Sequence, residues 1–320
     1  MVSAPFQRAL VIRGGALGDF ILTLPVLNAL REAAPDSRLE VLAYPGIAAL
    51  AETSGLIDAF RSIEYGPLAG FFTRGTVLDP GLRGYFASFD LILSYLYDPD
   101  GVFAENLQSA GAKRVITGPH RPGESSHAID QLAAPLTALG LPLAGRATRL
   151  ALEPAVHGAL TVALHPGSGS AAKNWPVEKW RQLAGQLLAA NPEVELAIIG
   201  GEADAAAVDA LRGLAASRVV LWENLPLPEL ARRLAGARLY LGHDTGVSHL
   251  AAAAGVPSLL LFGPSNPGVW APPHEHVRIL RAPEGNLPNL PVATVLAALA
   301  RFREGPRLAT GQESPENEKP

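Results

Sequence analysis

Arg-Leu-Tyr-Leu-Gly-His-Asp-Thr-Gly-Val-Ser-His-Leu-Ala-Ala-Ala-Ala-Gly-Val-Pro-Ser-Leu-Leu-Leu-Phe-Gly-Pro, residues 238–264, reads as a buried strand, a polar loop, a short alanine-rich helix and a second buried strand. Leu239 to Leu241 supply one apolar run and Ser258 to Phe262 the other, as in strands covered on both faces. Thr245 is placed to cap the helix and Gly255 to stop it, while Pro257 prevents its continuation. The helix therefore starts at the carboxyl end of a parallel strand, where open α/β sheets bind ligands. Its first backbone N–H groups lack intrahelical acceptors and favour an anion, most simply a phosphate. His249, one turn further in, is placed to add a hydrogen bond to that anion, whereas His243 reads as structural.

The alternation extends in both directions. Upstream, strands are expected at 8–12, 38–42, 59–63, 91–95 and 114–117, with helices at 20–33 and 127–139. Pro25 falls early in the first of these helices, where its missing N–H does little harm. Residues 141–159 carry Pro142, Gly145, Pro154 and Gly158 with little periodicity and read as a linker. Beyond it, strands are expected at 160–164, 194–199, 218–221, 239–241 and 258–261, with helices that include 176–190 and 293–303. Such alternation means two α/β, Rossmann-like domains with parallel sheets facing a cleft. Their expected bounds are 1–150 and 151–303, with the last helix able to pack back on the first domain. Residues 304–320 are polar, rich in Pro, Gly and Glu, and read as a disordered tail.

Four loops follow strand ends. Arg13-Gly14-Gly15-Ala16-Leu17-Gly18-Asp19 resembles a dinucleotide fingerprint, but Arg13 occupies its first glycine position, so a nicotinamide cofactor is not expected. Asp19 either caps the helix or faces the cleft as a general base. The loop His165-Pro166-Gly167-Ser168-Gly169-Ser170 is small enough to cradle an anion. Lys173 just beyond it is either a solvated surface lysine or the group that neutralises a diphosphate. Trp175 reads as an anchor for the following helix. In Gly200-Gly201-Glu202-Ala203-Asp204, either acid could meet ribose hydroxyls or cap the next helix. The fourth loop is Asp244-Thr245-Gly246, which opens the helix already described.

Composition sets limits on partners. The net charge of −4 gives no basic footprint for nucleic acid. Without cysteine the chain has no disulfide or thiol chemistry, which fits a cytoplasmic protein. No apolar run reaches the length of a membrane span, and the start Met-Val-Ser-Ala-Pro-Phe-Gln-Arg lacks the apolar core of a signal peptide.

Three of these segments carry a resemblance. Residues 15–25, Gly-Ala-Leu-Gly-Asp-Phe-Ile-Leu-Thr-Leu-Pro, resemble the N-terminal signature of the ADP-heptose:lipopolysaccharide heptosyltransferases. His-Pro-Gly-Ser-Gly at 165–169, with Lys173-Asn174-Trp175-Pro176, resembles the second signature. Asp-Thr-Gly-Val-Ser-His-Leu-Ala-Ala-Ala at 244–253, followed by Leu-Phe-Gly-Pro at 261–264, resembles the third. The resemblance spans roughly residues 8 to 300, in matching order and spacing.

It implies a GT-B fold, with the acceptor mainly in the first domain and an ADP-sugar mainly in the second. It implies inverting transfer of a heptose without a metal or other cofactor, in the cytoplasm or peripheral to the inner membrane. Asp19 then matches the base and Lys173 the phosphate-binding lysine. Gly18, Ser168, Asp244, Thr245, Gly246 and His249 belong to the donor site, with Glu202 or Asp204, preferentially Asp204, on the ribose. The acceptor is a glycan or glycolipid, with Arg13, His120 and Arg121 as candidates to meet it; His120-Arg121 and Lys113-Arg114 are either acceptor-binding clusters or ordinary solvated charges. Residues 1–150 hold 12 Lys and Arg against 14 Asp and Glu, so net charge does not draw this half to an anionic membrane. Phe71-Phe72 and Tyr85-Phe86 are candidates for lipid contact or interdomain packing. Two other classes stay open: an epimerase or hydrolase acting on the same nucleotide-sugar, and a silent nucleotide-sugar-binding protein.

Overall fold

The computed structural model describes residues 6–214 and 217–303. The expected tail at 304–320 lies outside them. The first domain holds a five-stranded parallel sheet: β1 (Arg8–Ile12), β2 (Arg38–Ala43), β3 (Ala59–Ser62), β4 (Leu91–Ser94) and β5 (Val115–Thr117). Its order is β3-β2-β1-β4-β5, so β1 is central and the order reverses between β1 and β4. Its α-helices are α1 (Leu17–Ile21), α2 (Leu24–Ala33), α3 (Pro45–Thr53), α4 (Pro80–Ala87), α5 (Val102–Ser109), α6 (Ala128–Leu132) and α7 (Ala134–Ala138).

The second domain holds a six-stranded parallel sheet: β6 (Leu160–Leu164), β7 (Val194–Gly200), β8 (Val219–Glu223), β9 (Leu239–His243), β10 (Ser258–Phe262) and β11 (Val277–Arg281). Its order, β11-β10-β9-β6-β7-β8, reverses between β6 and β9. The loops after β1, β6 and β9 therefore all leave carboxyl ends at a reversal point, where the two flanking connections diverge and open a crevice. Around this sheet lie α8 (Val177–Ala190), α9 (Ala205–Arg212), α10 (Leu227–Gly236), α11 (Gly246–Ala254), α12 (Pro267–Trp270) and α13 (Val292–Arg303).

Two expected helices are each broken in two. The 20–33 segment splits at Leu22-Thr23, because Pro25 has no N–H to offer the carbonyl of Ile21. Thr23, fully buried, instead donates its hydroxyl to the Asp19 carbonyl at 2.8 Å. Pro135 divides α6 from α7 in the same way. The edge strand β11 had no expected counterpart. The last helix, α13, packs against α8 of the second domain and not on the first.

Phe71, Tyr85 and Phe86 are buried with Leu10, Ile12 and Phe103 in a core cluster of the first domain. They face neither lipid nor the second domain. Phe72, partly exposed, stacks on Phe103 at 4.6 Å. Among the described residues no helix is long and apolar enough to cross a membrane.

Candidate active site

The two domains meet where the starts of α1 and α11 pack against each other. Gly18 and Gly246 make the close approach: a Cβ on Gly246 would lie 2.9 Å from the Gly18 amide nitrogen. The α11 start is built as expected. Thr245 caps it by accepting from the Ser248 N–H at 3.3 Å, and Gly255 ends it at φ 86°, a left-handed conformation that suits glycine.

Behind this start lies a buried polar frame. The His243 Nδ1–H donates to the Gly167 carbonyl at 3.2 Å, and its Nε2 accepts from the Trp175 N–H at 2.9 Å. One neutral ring thus ties β9 to both ends of the 167–175 loop, and burial pulls its pKa down to about 4. Trp175 is buried and donates its indole N–H to the Leu290 carbonyl at 3.0 Å, anchoring the entry to α8. Ser248 donates to the His243 carbonyl and is bonded by the Tyr240 hydroxyl at 2.9 Å. Burial pushes that tyrosine hydroxyl's pKa up.

A cavity of about 510 Å³ opens between the domains. Gly18 contributes one wall, Thr245 and Gly246 another, and Ser168 and Gly169 a third. Gly201, Glu202 and Asp204 close one side, while Trp222, Asn224, Leu225, Leu227 and Leu230 form a largely apolar end. Sequence reasoning missed this last group, although it lies at and just beyond the carboxyl end of β8. Asn224 adopts φ 50°, a turn conformation that the preceding Glu223 and following Leu225-Pro226 only hint at.

Asp19, Lys173 and Asp244 lie beside the cavity and not on its walls; Asp19 and Asp244 are one residue from Gly18 and Thr245. Lys173 Nζ donates to Asp244 Oδ2 at 2.6 Å. The lysine side chain is 35% exposed and the aspartate only 8%, so the ammonium keeps donors for a ligand while its counter-ion is fixed. Asp19 is 36% exposed, with Oδ2 accepting from the Ala16 N–H at 2.9 Å.

Several expected residues are placed differently. Arg13 does not face an acceptor: its side chain is 2% exposed, and Nη1 donates to the His120 carbonyl at 2.9 Å. Burial lowers the guanidinium pKa, opposed by the nearby Asp19 carboxylate. Lys113 is paired with Asp90 at 2.6 Å, and Arg114 donates to the Ala138 carbonyl. His120 and Arg121, by contrast, are both exposed, the His120 ring lying against Tyr97 with centroids 4.7 Å apart, so both stay accessible as expected of acceptor-side residues. His249 is buried beside Gly18, on the wall of a second, much smaller cavity with Ile21 and His274 rather than on that of the main one. Burial lowers its pKa to about 4, only partly opposed by Asp244.

The two acids after β7 have distinct situations. The Asp204 Oδ2 accepts from the Gly201 N–H at 3.0 Å and from the His165 ring at 3.4 Å. Hydrogen bonding from His165 is the larger of the effects that lower its pKa, and burial opposes it. The same carboxylate presses on Gly167, where any Cβ would overlap it. Asp204 is thus a brace between loops. Glu202 is exposed and makes no hydrogen bond or ion pair among the described residues.

Comparison with known proteins gives consistent results. The model of glycosyltransferase family 9 (heptosyltransferase) matches residues 127–298. Lipopolysaccharide heptosyltransferase 1 of Escherichia coli K12 is 34% identical over 128 residues, 40% of each chain. Its counterpart in Pseudomonas aeruginosa is 28% identical over 288 residues, 82% of this chain and 80% of that one. In the first three such relatives the chain spans about two fifths of their length. A family 9 glycosyltransferase structure from Veillonella parvula superposes with a TM-score of 0.75 at 18% identity, covering 92% of this chain and 97% of that one. The ADP complex of the E. coli heptosyltransferase WaaC gives 0.72 at 20% identity, covering 92% and 99%. These superpositions show the fold, that of GT-B heptosyltransferases.

Proposed function

Since the chain belongs to glycosyltransferase family 9, we propose that it transfers a heptose or related sugar from an ADP-sugar to a hydroxyl of a lipopolysaccharide-core-type acceptor. Transfer proceeds with inversion and without a bound metal. One observation carries this reading. Asp19 from the first domain and the Lys173, Thr245 and Gly246 group from the second flank one interdomain cavity, joined at the Gly18–Gly246 contact.

The nucleoside occupies the cavity, its base against Leu225, Leu227 and Leu230 and its ribose beside Glu202, since Asp204 is committed to Gly201 and His165. Solved relatives hold ADP and ADP-2-deoxy-2-fluoro heptose, which supports the adenine nucleotide. The diphosphate lies at the α11 start, where free amides and the Lys173 ammonium meet its charge. The sugar then projects towards Asp19. Asp19 takes the proton of the acceptor hydroxyl as that oxygen attacks the anomeric carbon from the face opposite the diphosphate. The bond to ADP breaks in the same step. Lys173 and the α11 amides stabilise the charge that builds on the departing phosphate. An acceptor of this kind is held in a membrane, so the reaction takes place peripherally at the cytoplasmic face of the inner membrane.

The test is transfer from ADP-heptose to a purified lipopolysaccharide-core acceptor, with product anomer read by NMR. Asp19→Asn should lower turnover by at least about 10²-fold, the lower range for a general base, and leave ADP affinity within a few fold. Undiminished turnover in that variant would remove Asp19 from the role. Free sugar or an epimer formed without acceptor would replace transfer with hydrolysis or epimerisation.

A further inference from the structure

We infer that Arg13 is a positioning residue for the base: its guanidinium, buried behind the cleft, fixes where the Asp19 carboxylate points. This inference rests on Asp19 acting as the base. Residue 13 is the first residue after the central strand β1, and its side chain turns inward and not towards an acceptor. Burying a cation is costly unless its donors find acceptors in good geometry. Here they find acceptors on two segments, one of which carries Asp19. Nε donates to the Asp19 carbonyl at 3.3 Å and Nη1 to the His120 carbonyl at 2.9 Å. The guanidinium carbon lies 5.7 Å from the centroid of the Tyr95 ring.

Nη2 is different. It is buried and makes no hydrogen bond, yet it stands 3.3 Å from Asp19 Oδ1. The guanidinium thus touches both the backbone and the carboxylate of one residue, through a rigid planar fork that a lysine cannot reproduce. The other carboxylate oxygen is held by the Ala16 N–H. It also lies against Gly15 (φ 96°), where a Cβ would come within 2.6 Å of Oδ2. Two oxygens held from two sides leave the carboxylate little freedom to rotate. The carboxylate stays partly exposed beside Gly18, which lines the cavity. Because Nη2 is shielded from solvent, an acceptor cannot reach it, and Arg13 acts through Asp19 alone.

The experiment is a double-mutant cycle in the full chain, using ADP-heptose and a lipopolysaccharide-core acceptor. Arg13→Gln should lower kcat by roughly 10- to 100-fold, the scale of a base misplaced by up to about 1 Å. Donor KM and the calorimetric Kd for ADP should stay within about twofold of wild type. Arg13→Lys, which keeps the charge and loses the fork, should recover part of kcat. In an Asp19→Asn background, Arg13→Gln should lower the residual turnover no further, since both changes remove one function.

Equal fractional losses in the two backgrounds would overturn the inference, as would a raised KM with kcat intact. If Arg13→Gln does not fold, judged by its thermal unfolding, the cycle is run with Arg13→Lys and read by the same criterion. Full turnover in Asp19→Asn alone would mean that the base assignment has failed. An inactive Asp19→Asn beside wild-type kcat in Arg13→Gln would mean that only the positioning role has failed.

Discussion

Replacing Gly246 by alanine probes the contact on which the site depends. The added Cβ would lie 2.9 Å from the Gly18 amide nitrogen and 3.0 Å from Leu17 Cβ. Comfortable separations of such atoms begin near ~3.5 Å, so about half an ångström must open between α1 and α11. Neither obstacle is the far end of a flexible side chain. Overpacking of this kind costs about 1–3 kcal/mol, offset by at most ~1 kcal/mol of helix propensity. Because Asp19 follows Gly18 directly, the same shift moves the base, and turnover should fall roughly tenfold on the scale of ångström misplacements.

Gly18→Ala is the control. Its Cβ would lie 3.5 Å from Gly246 Cα and 3.6 Å from the His249 ring, ordinary contacts that displace nothing. Urea unfolding of both variants at neutral pH reads the difference directly. Gly246→Ala should lose about 1–2 kcal/mol and Gly18→Ala should be at least as stable as wild type. Equal effects at the two positions, or a Gly246→Ala variant with wild-type stability and turnover, would refute the packing argument.

Other expectations concern the acids and the buried histidines. Glu202→Ala should weaken ADP binding by about tenfold, the value of a charge-assisted hydrogen bond, without changing the urea midpoint. Asp204→Ala should do the opposite in its main effect, costing about 1–3 kcal/mol of stability because the Gly201 N–H and the His165 ring lose their acceptor. A larger affinity loss in Asp204→Ala than in Glu202→Ala, calorimetrically measured, would return the ribose to Asp204. His243 and His249 are neutral when folded, with pKa values lowered to about 4 from an ordinary 6.5. Their contribution to stability is complete above about pH 6.5, where both states are neutral, and is lost as pH falls towards 4, because the unfolded chain binds the protons first. Each adds up to about 1.4 kcal/mol per pH unit to that decline. A stability flat between about pH 6.5 and 4.5 would contradict it.

Much of this was legible in the chain. The run from Leu239 to Phe262 carried its own punctuation, with a threonine cap, a glycine stop and a proline beyond, and the observed β9, α11 and β10 follow it closely. Loops after strand ends were equally readable, so Asp19, Lys173 and Thr245 stand out in the sequence, although for Asp19 and Lys173 the resemblance and not position alone selects the roles of base and phosphate binder. What was hidden depended on three-dimensional company. Apolar Leu225, Leu227 and Leu230 look like core residues in sequence, and only the position of β8 turns them towards a cavity. An arginine after a strand reads as a surface cation; the burial of Arg13 follows from acceptors at Asp19 and His120, which is 107 residues away. Spacing likewise favours Asp204 over Glu202 without showing that its carboxylate already accepts from the Gly201 N–H and the His165 ring. The helix breaks were less legible: Pro25 reads as a harmless first-turn proline, yet it and Pro135 each divide a helix, having no N–H for the carbonyl four residues back.

The most direct measurement is calorimetric titration of the protein and its Lys173→Ala variant with ADP, UDP, GDP, CMP and NAD, without added metal. Selective binding of ADP is expected, weakening about 10- to 100-fold in the variant through loss of a charge-assisted contact to phosphate. Preference for another nucleotide, or ADP binding unaffected by loss of Lys173, would contradict it.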